Sequence, residues 1–183
     1  MVISSTNVLM YVFFGVFLII LSLALYDRVK NGAPALMQIA TAIGFIWAGS
    51  LIASGMVSNA GIDPVIALYA KDPTQAALTW QAIESVANGL GNANGEILGG
   101  LWTLLISLAA LRAGGLPKML SILGLVVGAA GILSLIPALA GALIGLFSLG
   151  HIFWYVWLGV MLLRGNPRNI ALKPASVLAP REI

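Results

Sequence analysis

The chain contains no cysteine. Disulfides and thiolate metal sites are therefore excluded. It has one histidine, His151, which argues against a poly-histidine metal or haem site within one chain, and no metal site is expected. Charge is also scarce: Asp, Glu, Lys and Arg make up 8% of residues, against 60% hydrophobic. So few charges could not cover a soluble chain of 183 residues. No nucleophile elbow, P-loop, dinucleotide fingerprint or HExxH motif occurs, so no recognised catalytic set is present. The net charge of +3 is scattered over short loops and does not point to nucleic acid. Residues 1–7 carry no basic group, and the apolar run after them is too long for the core of a cleavable signal peptide.

What is present is apolar sequence in long runs, the signature of transmembrane helices. The expected fold class is all-α: a polytopic membrane bundle of five transmembrane helices, forming one domain over residues 1–164. The spans are placed at about 8–26, 35–57, 94–111, 119–136 and 143–163, with an extra helical segment at about 74–90. Residues 165–183 read as an irregular cytoplasmic tail. Pro34 suits a helix start, where its missing N–H would be unpaired anyway. Ala40, Gly44 and Ala48 have small-xxx-small spacing, which lets another helix approach closely. Residues 58–75 read as a polar connection with turn signals at 59–61, 63–64 and 72–73, and V-I-A-L-Y-A between them as a short interfacial helix. No internal repeat stands out, because small residues at helix contacts account for the recurring glycines.

The basic residues orient the bundle. Of nine Lys and Arg, eight follow spans one, three and five, and only Lys71 lies on the other side. The positive-inside rule then puts the N-terminus outside and the C-terminus in the cytoplasm of a bacterial inner membrane.

One stretch, 79–103, breaks the oil with Glu84, Asn88, Asn92, Asn94 and Glu96 among glycines. It has two readings. In one, G-L-G-N-A-N-G is a loop between a surface helix and a span starting near Glu96. In the other, the helix is continuous and the polar stripe lines a wet cavity. Glu96 lies roughly 24 Å above the cytoplasmic end of its helix and His151 roughly 20 Å above the end of its own. The two could therefore meet as a proton-exchanging pair, the candidate catalytic residues of an intramembrane enzyme or proton-coupled transporter. Asn92, Glu96, Trp102, His151 and Trp154 are the candidate ligand-binding residues.

The run G-E-I-L-G-G-L-W-T-L-L-I-S-L-A-A-L-R-A-G-G-L-P-K-M-L-S-I-L-G-L-V-V-G resembles the central part of an uncharacterised family of bacterial multi-span membrane proteins, known only as a domain of unknown function. Arg112, Leu116, Pro117, Leu123 and Gly124 carry the likeness, which covers 96–131 with a looser echo in 25–55. The resemblance implies no activity. The five-span plan is also similar to the tryptophan-rich sensory translocator proteins. Their tryptophan and proline pattern is absent, so no porphyrin or sterol binding is implied. The expected partners are the lipid bilayer, a small apolar or amphipathic ligand, and further copies of the chain or other membrane subunits. That makes the leading expectation a binding or structural subunit, with the enzyme or transporter as the alternative.

Overall fold

A computed structural model describes residues 2–92 and 95–164, with side chains described for 10–91 and 96–164. The 165–183 tail lies outside the described residues. Six helices run in order: α1 Val2–Val29, α2 Pro34–Tyr69, α3 Pro73–Ala87, α4 Gly95–Ala113, α5 Lys118–Leu133 and α6 Ala140–Arg164, with a wide turn at Asn88–Asn92 after α3. No strand occurs among the described residues. Four stretches are long and apolar enough to cross a membrane: Met10–Val29, Pro34–Tyr69, Pro73–Ala113 and Ala140–Arg164. The fifth apolar helix, α5, has 16 residues, about 24 Å against a hydrocarbon core of about 30 Å. The apolar residues Leu135, Ile136 and Leu139 continue the oil beyond its end.

Burial is arranged as a bilayer demands. Phe13, Phe17, Ile20, Leu149 and Phe153 stand on the outside, Phe153 at 68% exposure. Ser22, Ser54, Thr103, Ser107, Ser121 and His151 are buried inside. Apolar outer faces meet lipid without cost, whereas hydroxyls need partners within the bundle. The chain is thus an apolar helical bundle compatible with an integral membrane protein.

The closest helix pairings are α4 with α5, α1 with α2, α2 with α3 and α4, and α5 with α6. The α4–α5 contact is backbone to backbone: a Cβ on Gly100 would stand 2.8 Å from the Gly128 carbonyl oxygen, and one on Gly128 would stand 2.6 Å from that of Gly100. Only glycine permits that approach.

Two expectations about helix ends need correction. Residues 58–75 are not a polar connection, because α2 runs on to Tyr69 through Asn59, Gly61 and Pro64. Its 36 residues span about 54 Å, well beyond the hydrocarbon. Pro64 costs one backbone hydrogen bond, but its ring is exposed. Gly61 is buried against Ile83 of α3, with Ile83 Cδ1 2.7 Å from where a Cβ would be. Docking of α3 thus holds the distal turns helical, overriding weak turn propensities. The signal at Asp72 and Pro73 does separate α2 from α3: Asp72 accepts hydrogen bonds from the Thr74 and Gln75 backbone N–H groups at 3.0 Å and caps α3. The second correction is at α5, which stops at Leu133 rather than 136, leaving Pro137 in the turn before α6.

Candidate functional site

The polar stretch is neither a simple loop nor a straight helix. Past α3 the chain makes the wide turn at Asn88–Asn92, with a kink at Gly91, and resumes as α4. The turn docks on α2. Ser54 Oγ donates to the Ala87 carbonyl at 2.7 Å. Gly91 lies so close to the Ser50 backbone that a Cβ would meet its carbonyl carbon at 3.2 Å. Glu84 is exposed and Asn88 half-buried. The side chain of Asn92 and all of Asn94 lie outside the described residues. Glu96 is half-buried in the first turn of α4.

His151 sits elsewhere. Its Nε2 is hydrogen-bonded to Thr103 Oγ1 at 2.9 Å, with the donor set by the tautomer. Glu96 precedes Thr103 by seven positions on α4, about 10 Å along the axis. The hydrogen bond of His151 therefore runs to Thr103, two turns further along α4 than Glu96. The imidazole lies between two aromatic faces: Tyr155 stacks at 4.5 Å and 6°, and Trp47 at 5.9 Å and 14°. Phe147 closes one edge at 4.7 Å. Trp102 and Trp154 are fully buried and meet edge to face at 5.8 Å. Three of the expected ligand residues, Trp102, His151 and Trp154, are thus gathered in one aromatic core, apart from Glu96. The core is built of rings packed against one another, with the Thr103–His151 hydrogen bond inside it.

Two matched constellations flank this core. Trp102 Nε1 donates to Ser22 Oγ at 3.1 Å, and both atoms lie against Gly44, 2.7 and 2.5 Å from where its Cβ would be. Trp154 Nε1 and Ser107 Oγ lie against Gly124 in the same way, at 2.6 and 2.0 Å. In that second copy, however, both atoms are buried without a hydrogen-bond partner. The turns that follow the two serine-bearing helices are also reciprocal. Gly32 packs on Ala113 and Gly115 packs on Val29, in each case too close for a Cβ. The signal was in the sequence: S-L-A precedes each turn, at 22–24 and 107–109, and Gly-x-Pro ends it, at 32–34 and 115–117. It reads as a repeat only once the contacts are known.

Two openings flank the C-terminal half of α6. A groove of about 390 Å³ separates α6 from α1 and is lined by Phe17, Ile20, Tyr155, Leu158, Gly159 and Leu162 among others, none of them charged. Gly159 faces open space, with no atom within 4 Å of where a Cβ would stand. On the opposite face of α6, a cleft of about 600 Å³ is lined by Arg28, the α4–α5 turn, Trp157, Val160, Met161 and Arg164. Beside it, a hydrogen bond to Asp27 raises the pKa of Lys30 above its ordinary value. Among the described residues no three His, Asp or Glu side chains gather as a metal site.

No curated protein and no solved structure matches this chain. The family likeness carried by the 96–131 segment extends over nearly the whole bundle. Residues 5–165 match the family model described as Domain of unknown function (DUF4386), and the chain belongs to that family.

Proposed function

We propose that this protein is a multi-pass protein of the bacterial inner membrane that binds a small apolar or amphipathic ligand in the α1–α6 groove. The bundle of residues 1–164 is oriented with its N-terminus outside and its basic turns in the cytoplasm, and glycine-rich contacts hold its helices together. The observation that carries this reading is the groove itself: about 390 Å³ of uncharged space, open along the lipid-facing side of two helices that are not closely packed on each other. That volume suits a fatty acyl or similar chain. Tyr155 links the groove to the core, since it lines the groove and stacks on His151. The groove wall is therefore backed by rigid aromatic packing and is largely pre-formed.

The test is substitution of Gly159, which lines the groove and faces open space. Gly159→Leu adds a side chain into the groove without displacing a neighbour. In native mass spectrometry from mild detergent, with oleic acid as the added probe, retention is expected to fall at least about tenfold while the unfolding midpoint stays the same or rises. Unchanged retention would refute the groove as the binding site. The same spectra report whether the chain assembles with copies of itself.

A further inference from the structure

The cleft on the other face of α6 has a different chemistry. Arg28 and Arg164 both line it, no carboxylate does, and Trp157, Val160 and Met161 form its apolar wall. Arg28 is held in place by its Nε, which donates to the Gly115 carbonyl at 3.0 Å and leaves the terminal nitrogens of the fork without a partner among the described residues. Neither arginine has an acidic partner, because the one ion pair among the described residues joins Lys30 to Asp27. Among the described residues this end of the bundle carries Arg28, Lys30, Arg112, Lys118 and Arg164 against the single carboxylate Asp27, five positive charges less one negative, a net of +4. Trp157 is 43% exposed and lies seven residues, two turns, before Arg164. Tryptophan at that distance from a helix end belongs at the headgroup level.

We propose that this cleft is a binding site for the phosphate headgroup of an anionic phospholipid, with the phosphate between Arg28 and Arg164 and an acyl chain along Trp157, Val160 and Met161. Guanidinium forks recognise phosphate oxygens in pairs. The apolar wall favours an amphiphile over a free phosphate. A basic pocket between helices at the cytoplasmic face is where anionic lipid is most concentrated. The site rests on the membrane orientation proposed above but not on the groove.

The test is native mass spectrometry with phosphatidylglycerol, phosphatidylcholine of the same chains, and inorganic phosphate as competitor. Wild type is expected to retain phosphatidylglycerol about tenfold better than phosphatidylcholine, and Arg28→Gln/Arg164→Gln to abolish that preference. Arg164→Gln alone, which breaks no hydrogen bond among the described residues, is expected to weaken retention about threefold, so a folding defect in the double variant does not decide the matter. Arg112→Gln/Lys118→Gln removes the same charge away from the cleft and should leave the preference intact. Equal loss in both double variants would reduce the effect to general surface charge and overturn the proposal. Full competition by millimolar inorganic phosphate would assign the cleft to a free phosphate compound and overturn the lipid. Gly159→Leu should not affect phosphatidylglycerol retention, which separates failure here from failure of the groove.

Discussion

Ser22 and Ser107 occupy equivalent places over Gly44 and Gly124, yet the same substitution should have opposite effects at the two. Ser22 accepts the hydrogen bond of the fully buried Trp102 indole at 3.1 Å. Ser22→Ala removes that bond and leaves an indole N–H unpaired. Hydrogen bonds between membrane helices contribute about 0.6 kcal/mol on average and up to about 1.7. An orphaned buried donor adds a desolvation term, so a loss of about 1–2 kcal/mol is expected. Ser107 Oγ is itself the orphan, buried with no partner. Ser107→Ala deletes an unsatisfied hydroxyl and keeps the Cβ. The expected change is neutral to stabilising by about 1 kcal/mol. The assay is SDS titration of the folded protein in mixed micelles, followed by near-ultraviolet circular dichroism of the tryptophans. Loss of stability in Ser107→Ala equal to that in Ser22→Ala would refute the reasoning, since it would mean that Ser107 has a partner after all.

Three further outcomes follow from the same geometry. Thr103→Val leaves a buried His151 nitrogen unpaired and should destabilise the bundle by about 1–3 kcal/mol in the same titration. Pro64→Ala restores a backbone donor in the exposed distal part of α2; hydrogen exchange over residues 60–69 should slow, and faster exchange would show that the helix does not continue there. The pKa of Lys30 is raised by its hydrogen bond to Asp27 from the ordinary 10.5. Its contribution is therefore fully present below that value and is lost as pH rises through the folded one. Asp27→Asn should remove this small alkaline decline in the unfolding midpoint, an effect kept slight by solvent exposure of the pair.

The family and the helical class were legible because both are written in local composition. Apolar runs of span length need no tertiary information, and S-L-A-A-L-R-A-G-G-L-P carries its likeness in the linear sequence. The candidate site was only partly legible. Trp102, His151 and Trp154 were picked out as rare residue types in oil, and all three meet in the core. The partner of His151 was left open, because depth along a helix places a residue to within a turn or two, whereas a hydrogen bond needs the right face as well. Thr103 gave no signal, being one more small hydroxyl in an apolar run. Arg28 and Arg164 entered the sequence reading only as topology charges. Their meeting in one cleft depends on α1 and α6 ending side by side.

By itself, then, the sequence determined the all-helical apolar class and the clustering of basic residues in alternate turns. These depend on transfer free energies that sum along the chain. The tertiary structure decided the rest. Docking of α3 carried α2 through two turn signals to Tyr69. Gly100 and Gly128 brought two backbones into contact. Two distant serines came to face two distant indoles over two glycines, one pair bonded and the other not. Each of these depends on which faces of separate helices meet, and that is settled by packing between segments far apart in the chain, where no local propensity records it.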